Sequence, residues 1–376
     1  MKVSLITYSR TRNYGGILQA FGLYKYLCEK GYNTNFIDYI PSRCNINDKK
    51  VFVNEASSKS RLWGMNAITK KLFGILRYPG FKKSFKPFIS FMESNVSFTD
   101  SYYSIDELND NPPQADVYIT GSDQVWNSQF AMNQELDTPF YLPFVKEGKK
   151  ISYASSFGRE FIPEKDKKEV KGYLEKYDYI SVREESGQKI LKKMGIDSRV
   201  VVDPTILCPI NEWEKIASKP LDSDYYLLYQ VTFNKSVYDL AKEVAEKNNK
   251  KLVTITMDGK DKLYVKKDLK ITPDIQDWLS YIKYADGVIT DSFHASVFSI
   301  LFESPFIVNS GTRKGMSSRI HNLLASVGLE KRNVDSFDSQ EVASAIKEAI
   351  DWKSCENRIE TIRKESIDWI ENAINS

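Results

Sequence analysis

Histidine and cysteine are scarce in this sequence. Only two histidines occur, His294 and His321, and the four cysteines include no C-x-x-C pair. A metal site built from several imidazoles needs more histidines than these, and a zinc ribbon or a thioredoxin-type site needs paired cysteines. The sequence therefore predicts a protein with no metal, no cofactor and no disulfide framework.

Long apolar runs and a large excess of one charge are also missing. No run approaches the roughly 20 residues that cross a bilayer, and the first residues have too short an apolar run for a signal peptide. The 53 lysines and arginines barely exceed the 50 acids, a balance that does not predict a nucleic-acid partner. We expect a cytoplasmic protein that binds no nucleic acid.

One segment departs from this balance. Between residues 56 and 92 there are eight lysines and arginines, several aromatic residues and no acid. Cations interleaved with aromatics are typical of a peripheral contact with an anionic membrane surface, here the inner face of the membrane. The alternative is a structural insertion whose exposed face is basic.

Short β-branched runs alternate with helical patterns along the 376 residues. Strands are predicted at 3–8, 34–37, 116–120, 151–154, 179–182 and 199–202, and then at 225–231, 252–256, 287–290 and 306–308. This alternation favours an α/β fold with two Rossmann-like domains facing a cleft. We place these domains at 1–208, with a basic aromatic insertion at about 41–100, and at 209–355, and expect a C-terminal helix over 356–376 that packs back on the first domain.

Two polar segments follow strands of the first domain, at 13–16 and 121–127. The glycines of the first segment let the backbone approach a ligand, and the second segment is rich in polar side chains. Ligands of this fold class bind at the carboxyl ends of strands, so we predict a sugar or small-anion site here. The structural alternatives are a tight turn, and an Asx-turn with Trp126 in the core.

Arg183 stands where another strand becomes a helix. Its forked guanidinium can bind a carboxylate or a phosphate there, and the alternative is a surface ion pair with Glu184 or Glu185. Asp203 lies in the turn after the next strand, where we expect it to cap the turn.

His294 carries the most specific signal. It lies in the first helical turn after the strand at 287–290, and Ser292 can cap that helix. The position suits proton transfer near neutral pH and contact with an anion. The loop at 310–319 follows the next strand and contains Arg313 and Lys314, which predicts either an anion clamp or a solvated loop.

These segments together resemble the polysaccharide pyruvyl transferase family. The matching stretches follow the family's order over nearly the whole chain: 13–20, 121–127, 181–185, 203–205 and 290–302. The resemblance implies a fold like the glycosyltransferase B type. It also implies transfer of pyruvate from phosphoenolpyruvate to two hydroxyls of a sugar, which gives a cyclic ketal and free phosphate. The acceptor would be a cell-surface polysaccharide or its lipid-linked oligosaccharide precursor.

The resemblance also implies roles for individual residues. The family's strand-end arginine falls on Arg183, its histidine on His294 and its downstream cation on Lys314. The predicted catalytic residues are His294, Arg183 and Asp123. The predicted donor-binding residues are Arg183, Ser292, His294, Arg313 and Lys314. The predicted acceptor-binding residues are Asn13, Tyr14, Gly15, Ser122, Asp123, Gln124 and Trp126. Some members have an arginine shortly before this histidine, where this chain has Asp291, Ser292 and Phe293.

Two other functions fit the same pattern. One is a glycosyltransferase of the same fold that uses a nucleotide sugar, although no base or ribose pocket is diagnostic in the sequence. The other is a two-lobed protein that binds a small anion or a sugar without turnover. Titration with phosphoenolpyruvate and with nucleotide sugars separates the first from the predicted transferase.

Lys314 gives the first testable prediction. A point charge in a glycine-flanked loop would meet the donor phosphate, so Lys314→Ala should raise the Michaelis constant for phosphoenolpyruvate and leave kcat nearly unchanged. Steady-state kinetics with each substrate varied in turn measures both constants. An unchanged donor constant with a raised acceptor constant would move Lys314 to the acceptor side.

Overall fold

The computed structural model describes residues 1–50, 53, 67–128, 136–217, 223–257, 264–265, 270–309, 317–334 and 338–376. The chain divides into two compact units. Unit 1 comprises Met1–Val200 together with Ala373–Ser376, and unit 2 comprises Val201–Asn372.

Unit 1 is built on a parallel sheet of seven strands in the order β3-β2-β1-β4-β5-β6-β7. The strands are β1 (Lys2–Ile6), β2 (Asn33–Tyr39), β3 (Phe98–Tyr102), β4 (Val117–Thr120), β5 (Lys149–Ser155), β6 (Tyr179–Val182) and β7 (Arg199–Val200). The helices are α1 (Tyr14–Glu29), α2 (Ala67–Asn95), α3 (Ile105–Asp110), α4 (Glu164–Leu174) and α5 (Glu185–Lys193). All four residues of β4 are buried, as expected for a strand in a sheet that helices cover on both faces.

Unit 2 has a second parallel sheet, in the order β10-β9-β8-β11-β12. The strands are β8 (Tyr225–Gln230), β9 (Lys251–Thr256), β10 (Lys270–Ile271), β11 (Gly287–Thr290) and β12 (Phe306–Val308). The helices are α6 (Pro204–Leu207), α7 (Ile210–Ile216), α8 (Lys235–Lys247), α9 (Ile275–Lys283), α10 (Phe293–Leu301), α11 (Ser317–Val327), α12 (Ser339–Lys347) and α13 (Trp352–Asn375). The edge strand β10 pairs through only two residues.

The predicted α/β fold class is confirmed by these two sheets. Strands β6, β11 and β12 have the predicted bounds, while the short β3 and β10 were not predicted. Helix α12 ends at Lys347, where the guanidinium of Arg332 donates hydrogen bonds to the carbonyls of Ala345 and Glu348 at 2.6 and 2.5 Å. A side chain distant in sequence thus satisfies the helix end, a contact that helical periodicity cannot show.

Both sheets reverse their strand order once. The reversal lies between β1 and β4 in unit 1 and between β8 and β11 in unit 2. The loops after the two central strands run in opposite directions at such a point and leave a crevice, which is where this fold class binds ligands. The segments at 13–16, 121–127 and 290–294 all follow these central strands.

Among the helices in the described ranges, none is long and apolar enough to cross a bilayer. The predicted basic segment is described only from residue 67 onward, where it forms α2.

A buried ion pair lies near the end of β2 in unit 1. The Asp38 side chain is 2% exposed, and the Arg10 guanidinium donates to both of its carboxylate oxygens, at 2.5 and 2.8 Å. Ser101 Oγ donates to the same carboxylate at 2.6 Å. In dinucleotide-binding folds an acid in this region binds a ribose hydroxyl. Here Arg10 and Ser101 already bind its oxygens. The loop after β1 also lacks the G-x-G-x-x-G sequence of dinucleotide-binding folds.

This pair predicts a large effect on stability. Arg10→Ala would leave the Asp38 carboxylate buried without its countercharge, which should lower the free energy of unfolding by about 3–5 kcal/mol. The matched control is Lys167→Ala, because Lys167 pairs with Glu164 on the exposed surface of the same unit. That variant should lose at most about 1 kcal/mol. Urea denaturation measures both, and equal losses would contradict the assignment.

Candidate functional site

In unit 1, the strand order reverses between β1 and β4. A threonine hydroxyl and a glycine bring together the two loops that follow these strands. Thr7 Oγ1, just after β1, donates to the carbonyl of Ser122, just after β4, at 2.7 Å. A Cβ on Gly121 would stand 3.1 Å from Thr7 Cβ, so a larger residue there would press the two loops apart. The predicted segments at 13–16 and 121–127 therefore leave the sheet side by side.

The amino end of α1 faces this loop. Asn13 caps the helix, since its side-chain oxygen accepts the N–H of Gly16 at 3.3 Å. A Cβ on Gly16 would lie 3.3 Å from Oδ2 of Asp123. The structure thus brings together Asn13, Gly16 and Asp123, and the positive end of the helix stabilises the carboxylate beside it.

Asp123 has an unusual backbone conformation. Its φ of 77° lies in the left-handed region, which aspartate tolerates better than most residues. The conformation is fixed from both sides: the Asp123 carbonyl accepts the N–H of Ser156 at 3.0 Å, and its Oδ1 accepts the N–H of Gln124 at 2.8 Å. Strained backbone of this kind is concentrated at functional sites.

Arg183 joins the same cluster from β6. Its Nη1 donates to Ser122 Oγ at 3.3 Å, and its Nε lies 3.5 Å from Oε2 of Glu184. Only 2% of the Arg183 side chain and 6% of the Glu184 side chain are exposed. Glu184 in turn accepts a hydrogen bond from Ser156 Oγ. The pairing with Glu184, considered above as a surface alternative, is present but buried, and the network ties together the ends of β4, β5 and β6.

Two of the predicted acceptor residues belong to the core. Trp126 is 2% exposed; its ring packs against Tyr141 and Phe157, and its Nε1 donates to the carbonyl of Phe140 at 3.4 Å. Tyr14 is equally buried and packs against Phe88. This is the structural alternative foreseen for Trp126, and we leave both rings out of the acceptor contacts proposed below.

Gln124 and Gly15 keep positions near the α1 end. The Gln124 side chain packs over Gly158, where any Cβ would lie 2.3 Å from Gln124 Oε1. The φ of Gly158 is +64°, so both the backbone and the space require glycine there. Gly15 is buried in the first turn of α1.

In unit 2, a carboxylate connects the ends of β8 and β11, where the strand order reverses. Asp291 follows β11, is 2% exposed, and its Oδ1 accepts the N–H of Val231 at the end of β8, at 2.9 Å. Ser292 then caps α10, because its Oγ accepts the N–H of Ala295 at 3.3 Å. Asp291 and Ser292 therefore have structural partners that fix where the next residues, Phe293 and His294, enter the helix.

His294 faces a buried carboxylate. Its Nε2 lies 3.6 Å from Oδ2 of Asp203, whose side chain is fully buried, while the His294 side chain is 13% exposed. The other carboxylate oxygen, Oδ1, accepts the N–H and the hydroxyl of Thr205 at 3.0 and 2.7 Å. Asp203 therefore caps the turn as predicted and, in addition, presents its second oxygen to the histidine.

Arg319 supplies a cation beside this pair. Only 8% of it is exposed, and its guanidinium carbon lies 5.9 Å from the centroid of the Phe293 ring. The same ring packs edge-on against His294, with 5.2 Å between centroids. Phe293 is thus in contact with a guanidinium and an imidazole. The predicted Arg313 and Lys314 lie outside the described residues.

Sequence reasoning overlooked three residues of these clusters. Asp203 was assigned only a cap, Arg319 was counted only as one of the loop cations, and Arg12 was not considered. Arg12 directly precedes the Asn13 cap, and burial lowers the pKa of its guanidinium, an effect that the nearby Tyr14 partly opposes. A guanidinium remains charged at neutral pH despite such a shift. A cation three residues before a glycine pair at a strand end is the signal that could have identified it.

Comparison with known proteins agrees with this geometry. The profile of the polysaccharide pyruvyl transferase family matches residues 13–310, most of the chain. The chain belongs to this family. Among curated proteins, none matches the sequence.

Solved structures support the fold of a pyruvyl transferase family member with two Rossmann-like units. The chain is similar to MnaA of S. aureus in a co-structure with UDP, with a TM-score of 0.53, 13% identity, and coverage of 100% of this chain and 97% of that one. It is also similar to the UDP-GlcNAc 2-epimerase of Methanocaldococcus jannaschii in complex with UDP-GlcNAc and UDP, with a TM-score of 0.51, 17% identity, and coverage of 97% and 100%. For the UDP-N-acetylglucosamine 2-epimerase of Rickettsia bellii the TM-score is 0.50 and the identity 12%, with coverage of 100% of this chain and 97% of that one. At these identities the similarity shows the fold alone, which is the predicted glycosyltransferase B type.

The contact between His294 and Asp203 predicts a tautomer for this family member. A neutral His294 is expected to carry its proton on Nε2, because the negative Asp203 carboxylate lies 3.6 Å from that nitrogen. Asp203→Asn keeps a cap for Thr205 but removes the charge, so the two tautomers should become mixed. Imidazole ¹⁵N chemical shifts measure this, and the chain has only one other histidine, His321, as internal reference. Identical spectra before and after the substitution would contradict the contact.

Proposed function

We propose that this member of the polysaccharide pyruvyl transferase family transfers pyruvate from phosphoenolpyruvate to two hydroxyls of one sugar. The product is a cyclic ketal, and phosphate is released. The observation that carries the proposal is the His294–Asp203 pair at 3.6 Å. The Phe293 ring, which packs against His294, also contacts the Arg319 guanidinium. A buried carboxylate, an imidazole and a cation are the groups needed to protonate an enol phosphate and hold its anionic groups.

The reaction begins with a proton transfer. The methylene carbon of phosphoenolpyruvate gains a proton and becomes a methyl group, while a sugar hydroxyl oxygen bonds to the neighbouring carbon. The bond from that carbon to the phosphate oxygen then breaks, and the second hydroxyl oxygen takes its place. The two hydroxyl protons balance the reaction: one replaces the proton given to the methylene carbon, and the other leaves with the phosphate.

His294 is the proposed acid. The Asp203 carboxylate lies 3.6 Å from Nε2 and is proposed to orient the ring so that Nδ1 faces the donor. The second ring nitrogen, Nδ1, then carries the proton to be transferred. Because Asp203 Oδ1 is fixed by Thr205, the pair holds one orientation before substrate binds.

The donor carries a carboxylate and a phosphate close together. We propose that Arg319 binds one of these anions, because a guanidinium stacked on Phe293 is held in place and matches the two oxygens of either group. Ser292, Arg313, Lys314 and Arg183 remain predicted donor contacts. Arg319 then supplies, from a different position in the sequence, the guanidinium that some family members have shortly before the histidine.

The acceptor side is proposed on the strand ends of unit 1. We propose that Asp123 accepts a hydroxyl proton; what supports this is its fixed backbone and the position of its carboxylate next to Gly16. Asn13, Gly15, Ser122 and Gln124 remain predicted hydrogen-bonding partners for a sugar. The acceptor class we propose is a lipid-linked oligosaccharide.

The direct test is phosphate release from phosphoenolpyruvate when lipid-linked oligosaccharides are added. We expect release that depends on the acceptor, and no release of nucleotide when UDP-N-acetylglucosamine replaces phosphoenolpyruvate. Nucleotide release would favour a glycosyltransferase, the same fold being shared with structures that contain UDP. Binding of phosphoenolpyruvate without turnover by any acceptor would favour the two-lobed binding protein.

His294 gives a prediction for turnover. His294→Gln keeps a hydrogen-bonding group of similar size but cannot donate a proton as an imidazolium, so kcat should fall by about 10²–10⁴-fold. His321→Gln is the matched control, since that histidine lies in α11. Near-native turnover in the His294 variant, with its circular dichroism unchanged, would remove the histidine from the mechanism.

Arg183 needs a different substitution. Truncation to alanine would leave Glu184 buried beside an empty space and would confuse loss of folding with loss of function. Arg183→Lys keeps the charge but loses the forked geometry, so we expect weaker substrate binding, seen as a raised Michaelis constant, while the protein stays folded. An unchanged Michaelis constant for both substrates would make Arg183 a structural residue only.

A further inference from the structure

Helix α2 has two opposite apolar faces. Its carboxyl-terminal half turns phenylalanines inward: Phe85, Phe88 and Phe91 are at most 9% exposed, Phe88 packs against Tyr14, and Phe91 packs against Phe21. They are three of the seven aromatic residues of the basic segment at 56–92. These three rings belong to the core, where Phe88 and Phe91 pack α2 against α1, so they are not available to a membrane surface.

The other face exposes aliphatic side chains. Leu72, Ile75 and Leu76 are 53%, 41% and 72% exposed. Their spacing of three and four residues places them on one side of the helix, opposite the inward phenylalanines. They are the exposed leucines and isoleucines of the described ranges; the other exposed large hydrophobic side chains there are scattered singly. A cluster of this kind marks an interaction surface.

Exposed lysines lie on the same side of α2, farther along the helix. Lys83 and Lys86 follow Leu76 at helical spacing and are exposed, as are Lys71 and Arg77 next to the aliphatic group. Lys82 is also exposed, although it donates to Asn47 at 2.9 Å. The helix has no acid before Glu93, so nothing on α2 neutralises these charges near the aliphatic side chains.

We propose that this face of α2, defined by Leu72, Ile75, Leu76, Lys71, Lys83 and Lys86, binds the surface of an anionic lipid bilayer. Aliphatic side chains enter the boundary between headgroups and acyl chains, and lysines beside them meet the lipid phosphates. The positive charge of this face, with no acidic residue on α2 before Glu93, is complementary to the negative charge of an anionic bilayer. A second copy of the chain would bring the same cations against each other, which opposes self-association through this face. A lipid-linked acceptor lies at such a surface, so the proposal adds a location to the proposed function without depending on it.

The test uses the full chain and vesicles of phosphatidylcholine with or without about a third phosphatidylglycerol. Co-sedimentation should show binding only to the anionic vesicles. Binding should weaken strongly between about 0.1 M and about 1 M salt, as the Debye length falls from about 10 Å to about 3 Å. Equal binding to both kinds of vesicle, or no binding to the anionic ones, would overturn the proposal.

Substitutions separate the two components of the face. Replacing Lys71, Lys83 and Lys86 by glutamine should reduce the partition coefficient about 100-fold, since each cation near the surface contributes about fivefold. Replacing Leu72, Ile75 and Leu76 by serine should reduce it by at least about tenfold and leave the salt dependence in place.

The matched control is another basic surface of unit 1. Lys165, Lys168 and Lys176 are exposed on and after α4, and replacing them by glutamine removes the same charge. This control should keep most of the binding, and a loss equal to that of the α2 variants would show a general charge effect and overturn the site. Sedimentation velocity of the native chain checks self-association. A dimer abolished by the serine variant, with vesicle binding unchanged, would assign the face to a second copy instead.

Phosphate release from a water-soluble acceptor distinguishes this proposal from the catalytic one. The α2 variants should keep native turnover there, since none of their residues belongs to the candidate site. Loss of vesicle binding with activity retained supports the surface alone. If the His294 variant loses activity but still binds vesicles, the result supports the catalytic role of His294 and does not test the α2 face.

Discussion

A single hydrogen bond sets the geometry of the candidate catalytic residues in unit 2. The buried carboxylate of Asp291 accepts the backbone N–H of Val231 across the point where the strand order reverses. Without that bond the ends of β8 and β11 would leave a buried polar backbone group unsatisfied, which folded proteins rarely tolerate. Because Asp291 is fixed, Ser292 is placed to cap α10, and the first turn of that helix then brings His294 to Asp203. In unit 1, the hydrogen bond from the Thr7 hydroxyl to the Ser122 carbonyl connects the two central strand ends in the same way.

Much of this arrangement could be predicted from the sequence. The alternation of β-branched runs and helical patterns predicted both sheets, and the position of polar residues at strand ends indicated Asp123, Arg183 and His294. The local signals were sufficient there because strand ends and caps depend on neighbouring residues. Ser292 caps its helix, and Asp203 caps its turn, as the sequence indicated.

Contacts between distant residues could not be predicted in this way. Asp203 and His294 are 91 positions apart, and no periodicity links them. The same holds for Arg332, whose guanidinium binds the carbonyls at the end of α12, and for the burial of Trp126 among other aromatic rings. The phenylalanines of α2 show the limit most directly: a pattern of cations and aromatics gave no information on which face the helix would turn inward.

In the chemistry proposed for this family member, an imidazole beside a buried carboxylate protonates the methylene carbon of an enol phosphate. The most direct measurement is ¹H and ²H nuclear magnetic resonance of the product formed in D₂O from phosphoenolpyruvate and the sugar acceptor. The account predicts a ketal whose methyl group carries one deuterium from the solvent, formed together with an equal amount of free phosphate. A product that keeps the vinyl signals of the donor, or one formed without phosphate release, would contradict it.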